Sequence, residues 1–215
     1  MRPWRHLTPR YIINRVKVMI YQTKYPDRPW LTKLANTIIA SLLKKSDIGL
    51  EFGSGRSTVY FAQLVAFLTS VDHDQIWYNK VNDLLIKKGI INVNYLLCAK
   101  DVDEGNSANS EYIHVINKFA LSSLDFVLVD GIYRANVANL VIDKIRPGGL
   151  LIIDNANRYL PCNSVAPNSR PRSQGPVSPE WGIFLDRVQN WRCIWTSNGV
   201  WDTALYFKPC QTSGD

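Results

Sequence analysis

Long apolar runs are missing from this 215-residue chain: no stretch approaches the roughly 18–20 uninterrupted apolar residues that a helical membrane span needs. The first residues also lack the apolar core and small-residue cleavage site of a secretory leader, so a cytoplasmic protein is expected. Cysteine is scarce. The four, Cys98, Cys162, Cys193 and Cys210, are far apart and show no metal-ligand spacing, so reduced, partly buried thiols are expected. The three histidines include no pair at helical spacing, which argues against a zinc site. There is no internal repeat and no legible second domain. Acidic residues are nearly absent from the first 28 positions, where Asp27 stands alone against Arg2, Arg5, Arg10, Arg15, Lys17, Lys24 and Arg28.

What is present is the balance of an ordinary globular domain, 46% hydrophobic and 20% charged residues, enough to bury a core. The net charge of +7 is concentrated at the N-terminus. Such a segment either forms a solvated helix face covering the domain's own sheet or attracts phosphate on a membrane or nucleic acid. Thr8 is a good N-cap with Pro9 behind it. Tyr11, Ile12, Val16, Met19 and Ile20 follow at helical spacing, an apolar face beside a basic one. A second helix is expected over residues 30–45, after the Pro-rich break at 25–29.

From there the periodicity alternates. Strands are expected at Ile48–Phe52, 67–71, 93–98, Leu124–Val129 and 150–153, with helices at 57–64, 75–88, 112–119 and 135–145 between them. Pro147-Gly148-Gly149 is expected to close the last of these helices. This alternation predicts an α/β fold with a parallel, doubly wound sheet. A helix at 179–189 and an antiparallel pair at 193–196 and 204–208, joined through Ser197-Asn198-Gly199, complete the chain. Residues 157–179, rich in Asn, Ser, Arg and Pro, read as a long irregular loop placed to act as a lid.

The chemical motifs fall just past the C-terminal ends of the strands, the edge where ligands bind in open α/β sheets. Glu51-Phe52-Gly53-Ser54-Gly55-Arg56-Ser57 puts two glycines in a strand-to-helix turn, which lets the backbone approach a ligand closely. It is not a dinucleotide fingerprint, because Thr58 stands at the third glycine position. Glu51 would also repel a pyrophosphate, whereas a cationic ligand suits it. Asp72 ends the second strand, where a carboxylate can accept both hydroxyls of a ribose. His73 is placed to line an adenine edge, and Asp74 to cap the following helix. Asp101, Asp130 and Asp154-Asn155 follow the third, fourth and fifth strands.

Taken in order, Glu51-x-Gly53-x-Gly55, Val71-Asp72-His73-Asp74, Val129-Asp130-Gly131, Pro147-Gly148-Gly149 and Asp154-Asn155 resemble the motifs of class I S-adenosylmethionine-dependent methyltransferases. The resemblance is closest to catechol-type small-molecule O-methyltransferases and their bacterial relatives, and it covers residues 48–158. It implies a Rossmann-like, three-layer α/β/α domain with a seven-stranded sheet whose last strand is antiparallel. Residues 46–215 would be the methyltransferase domain and residues 1–45 a basic helical cap on it. The cofactor, S-adenosylmethionine, would be bound by Glu51, Gly53, Ser54, Gly55, Ser57, Asp72, His73, Asp101 and Asp130, with Glu51 and Gly53 at its methionine end and Asp101 near its adenine. The resemblance also implies a magnesium ion on Asp130, Asp154 and Asn155. Hard oxygen donors suit magnesium, which would acidify the acceptor hydroxyl and orient it for in-line attack. The other reading is that Asp154-Asn155 orders a loop and Asp130 orients the cofactor's amino-acid tail.

The sequence departs from that family where a lysine base is expected, since Ile132, Tyr133 and Arg134 follow Gly131. Arg134 cannot be a base, and Tyr133 assists proton transfer only with a lowered pKa. Asp130 or a metal-bound hydroxide is then the first choice of base, with Tyr133 as a second candidate catalytic residue. The expected reaction is methyl transfer to the hydroxyl of a small molecule, beneath residues 157–179 and beside Trp181, Trp195 and Trp201. Asp130-Gly131-Ile132-Tyr133 replaces the Asp/Asn-Pro-Pro-aromatic motif of enzymes that methylate exocyclic amines. Nucleic acid is therefore not the expected partner, although an RNA 2′-hydroxyl is the main alternative acceptor. A protein that binds the cofactor without turnover is the other alternative. The basic N-terminal helix is expected to serve peripheral membrane or oligomer contact rather than chemistry.

Overall fold

Residues 8–210 are described in a computed structural model; Arg2 and Arg5 of the basic segment lie outside the described residues. The first helix, α1 (Pro9–Lys24), begins where its cap dictates: the Thr8 hydroxyl accepts the Tyr11 N–H at 3.2 Å. The second, α2 (Lys33–Leu42), starts later than residue 30 because the Thr32 hydroxyl is the cap, accepting the Ala35 N–H at 3.2 Å.

Five parallel strands follow, β1 (Ile48–Phe52), β2 (Phe67–Asp72), β3 (Val93–Leu97), β4 (Leu124–Val129) and β5 (Ile145–Asp154). β6 (Pro161–Cys162) and β7 (Arg170–Pro171) pair in a small separate ladder, and β8 (Arg192–Ser197) and β9 (Asp202–Phe207) return as a hairpin. The main sheet has seven strands in the order β3-β2-β1-β4-β5-β9-β8, with β9 antiparallel to both its neighbours. The strand order reverses between β1 and β4, which opens a crevice at their C-terminal ends.

The connecting helices are α3 (Arg56–Ala62), α4 (Gln75–Lys87), α5 (Glu111–His114), α6 (Arg134–Val141) and α7 (Pro179–Arg187). They cover both faces. On one face Leu50, Phe52, Val127 and Val129 pack with Val137 and Ala138 of α6 and with Trp181 and Phe184 of α7. On the other, Phe126, Leu128 and Ile152 pack with Ala35 and Ile39 of α2 and with Phe61 of α3. This is strand alternation at work, with successive residues facing opposite layers. Gly49 fits it, because a Cβ there would lie 2.2 Å from the Phe126 ring.

Three expectations need correction. Pro147-Gly148-Gly149 does not close a helix: α6 ends at Val141, and the three residues lie inside the ten-residue β5. A register shift between Leu124 and Phe126 and a positive φ at Gly148 absorb the irregularity. The helix expected at 112–119 is one turn of α5 continued as a 3-10 turn over Val115–Lys118. Residues 157–179 hold β6, β7 and a 3-10 turn at Arg172–Gln174. Fully buried Asn157 fastens the segment: its amide donates to Pro167 O at 3.3 Å and Ser169 Oγ at 3.0 Å, while its Oδ1 accepts the Asp202 N–H at 3.1 Å. Asn and Ser, which composition marks as loop formers, here satisfy buried polar groups.

Candidate functional site

Above the crevice lies a cleft of about 620 Å³ whose lining includes Gly53, Ser54, Asp72, His73, Trp77, Lys80, Asp130 and Gly131. Gly53 has φ +93°, and a Cβ there would meet the Gly131 backbone nitrogen at 2.6 Å. Glycine therefore lets the turn after β1 touch the turn after β4. Asp72 holds the first turn in shape. One carboxylate oxygen accepts the Ser54 N–H and hydroxyl at 2.8 and 2.6 Å; the other accepts the N–H groups of His73 and Asp74 at 2.8 and 3.0 Å. Trp77, at the start of α4, donates its indole N–H to Ser54 O at 2.7 Å.

Glu51 does not line this cleft. Alternation along β1 turns it away from Leu50 and Phe52 and under the glycine turn, fully buried. One oxygen accepts hydroxyls from Thr58 and Ser70, both at 2.6 Å, and the other has no hydrogen-bond partner. Burial pushes its carboxyl up to about 7 against the opposing pull of the neighbouring hydroxyls. The Thr58 hydroxyl also accepts the Gly55 N–H at 3.0 Å, which gives Thr58 a reason to replace a third glycine. Gly55 thus belongs with Glu51 to the support of the turn, and Ser57 is buried beside it in the first turn of α3. Asp101 stands apart: its carboxylate accepts the Ser110 hydroxyl and, at 2.9 Å, the Glu111 N–H, capping α5.

A second cleft, of about 300 Å³, is lined by Arg15 and Gln22 of α1 and by Trp30, Asp130, Asp154, Asn155, Arg158 and Trp201. Asp130 lines both clefts. The structure therefore brings Asp130, Asp154 and Asn155 together, as expected, but the cation beside the two aspartates is Arg134. Its guanidinium donates to Asp130 Oδ1 at 2.7 Å, to Asp154 O at 2.7 Å and to Gly131 O at 2.9 Å. Asp154 is buried and accepts the Thr203 hydroxyl at 2.8 Å and the Asn155 amide N–H at 2.6 Å. Burial first, and the charge of Asp130 second, push its carboxyl up to about 8. Asp130 itself is 35% exposed but recessed, and desolvation raises its pKa against the pull of Arg134.

Tyr133 is not placed for proton transfer. It sits in the core at 1% exposure, with φ +51°, and its hydroxyl donates to Val102 O. Of the three tryptophans expected around the acceptor, only Trp201 lines the cleft, and its indole nitrogen is buried without a partner. Trp181 stacks on Tyr159 with ring centroids 5.3 Å apart, and Trp195 donates to Asp202 at 2.8 Å. Sequence reasoning missed Trp30, Arg15, Gln22 and Arg158. Arg15 and Gln22 were signalled only by the polar side of α1, opposite its aliphatic residues; Trp30, between α1 and α2, and Arg158, just after β5, belong to no motif.

No protein-family model matches the sequence, and no curated protein matches it. Solved structures match in fold. A methyltransferase-like protein from Silicibacter pomeroyi gives a TM-score of 0.56 at 20% identity, covering 87% of this chain and 92% of its own. A Streptococcus mutans protein in complex with SAH gives 0.53 at 14% identity, covering 82% and 96%. An rRNA methylase from Streptococcus thermophilus gives 0.54 at 12% identity, covering 83% and 95%. At these identities the likeness establishes the architecture: a Rossmann-like sheet of seven strands with β9 antiparallel.

Proposed function

We propose that this chain is an S-adenosylmethionine-dependent methyltransferase acting on a hydroxyl, with the cofactor over Gly53 and a small-molecule acceptor in the cleft beside α1. The observation that carries the reading is Asp130, the one residue that lines both clefts. A methyl donor in one and an acceptor in the other would meet there. The residues suit the cofactor: a glycine turn with no side chain in the way and a carboxylate at the end of β2. The same fold binds SAH in the Streptococcus mutans protein. The cofactor supplies an electrophilic methyl group on a sulfonium. The chain's own part is to place the acceptor and take its proton.

Asp130 is the base in this reading. Desolvation raises its proton affinity, and Arg134 fixes its orientation. Burial and the neighbouring charge hold the Asp154 carboxyl well above the usual range, so the two aspartates resist carrying two negative charges together. Magnesium does not suit this donor set. Asp130 is already paired with a guanidinium, Asn155 turns an N–H donor toward Asp154, and Arg15 and Arg158 line the same cleft. An RNA 2′-hydroxyl is the second reading, favoured by the shared fold of an rRNA methylase and by the acid-free α1.

The test is transfer of labelled methyl groups, in excess chelator, to a panel of hydroxylated metabolites and to total RNA. Label is expected in the small-molecule fraction despite the chelator. Asp130→Asn should lower kcat by roughly 10²–10⁴-fold while leaving SAH affinity within about threefold. Label in RNA alone would favour the second reading, and loss in chelator restored by magnesium would reinstate the metal. SAH binding without transfer to any acceptor would leave a binding protein.

A further inference from the structure

α1 meets the domain with one side only. Val18 is its single buried residue, and Arg15 and Gln22 reach the second cleft from the same side. At 100° per residue, the side turned away from the domain carries Ile12, Ile13, Val16, Met19 and Ile20, each between 49% and 62% exposed. They form one continuous aliphatic stripe roughly 120° wide. Arg10, Lys17 and Lys24 run along one edge of the stripe and Arg15 along the other, and the helix holds no acid. None of these four cations takes part in an ion pair among the described residues. Tyr25, exposed, follows the helix; it is a residue type that settles at the headgroup level of a bilayer.

We infer that the outward face of α1 docks on an anionic lipid bilayer, with the aliphatic stripe in the acyl boundary and the flanking cations on headgroup phosphates. No helix among the described residues is long and apolar enough to cross a membrane, so α1 would lie in the interface plane. Charge decides between this partner and a second copy of the chain. Twofold pairing of the stripes would bring Arg10, Lys17 and Lys24 of both copies together with no acid on the helix to neutralise them. An anionic surface complements them, and the net charge of +7 adds to the attraction. The inference does not depend on methyl transfer.

The test is co-sedimentation of the full chain with sucrose-loaded vesicles of phosphatidylcholine, alone or with roughly 30% phosphatidylglycerol. Binding is expected to the anionic vesicles, to weaken with salt, and to be near background on the neutral ones. Val16→Asp combined with Ile20→Asp, and separately Lys17→Glu combined with Lys24→Glu, should each reduce partitioning by at least about tenfold. These positions are exposed, so circular-dichroism melting should stay close to wild type. Absence of wild-type binding to anionic vesicles would overturn the inference whatever the variants do. So would binding that both folded variants retain, or a wild-type dimer that Val16→Asp converts to a monomer.

Discussion

Glu51 and Asp154 are buried carboxyls whose proton affinities lie far above the ordinary values of 4.5 and 3.8, at about 7 and about 8. In the folded chain each keeps a proton over a range in which the unfolded chain has lost it. Folding stability therefore falls as pH rises from about 4.5 toward 8, and the loss levels off above that. Urea unfolding measured from pH 5 to 8.5 should show this slope. Asp154→Asn, which keeps the shape and cannot ionise, should flatten it, most clearly between pH 7 and 8. A slope that Asp154→Asn leaves unchanged would mean that Asp154 is ionised in the fold. At this scale the sequence was partly legible. Asp72, His73 and Asp130 lie at strand ends, and that position alone takes them to the cleft. Glu51 shares a strand end yet faces the other way, and the clue was the alternation of Leu50, Glu51 and Phe52 with polar Thr58 and Ser70 to receive the carboxylate. Arg134 was weighed only as a base, whereas its charge is what lets two aspartates sit together.

Elements were more legible than residues, because a switch between periods of 2 and 3.6 needs no tertiary contact to be seen. The strands at Ile48–Phe52 and Leu124–Val129 stand as expected, and the Thr8 and Asp74 caps start α1 and α4. What the pattern missed were features set by distant partners, such as the β6–β7 ladder held through Asn157 and the extension of β5 through Pro147-Gly148-Gly149. α1 is the informative element. Read from sequence as a contact surface only, it also lends Arg15 and Gln22 to the second cleft. Arg15→Ala should accordingly raise the KM for an acceptor by about tenfold or more, roughly 1.5–3 kcal/mol if it loses a charged hydrogen bond, and leave the SAH affinity unchanged. Steady-state kinetics beside a binding titration would check this. An unchanged KM would confine α1 to surface contact.

At the scale of the whole molecule, the sheet order places the ends of β1, β2, β4 and β5 around one crevice, and chemistry collects there because the order reverses at that point. Four separate stretches of sequence, the turns after β1, β2, β4 and β5, each weak as a motif, converge on two clefts that share Asp130. Whether the 620 Å³ cleft holds the cofactor is read by backbone hydrogen exchange with and without saturating SAH. Slowed exchange is expected at residues 53–57, 72–77 and 130–134, the turns after β1, β2 and β4, with no change in the β8–β9 hairpin. Identical exchange with and without SAH, or protection confined to residues outside those turns, would contradict a cofactor site there.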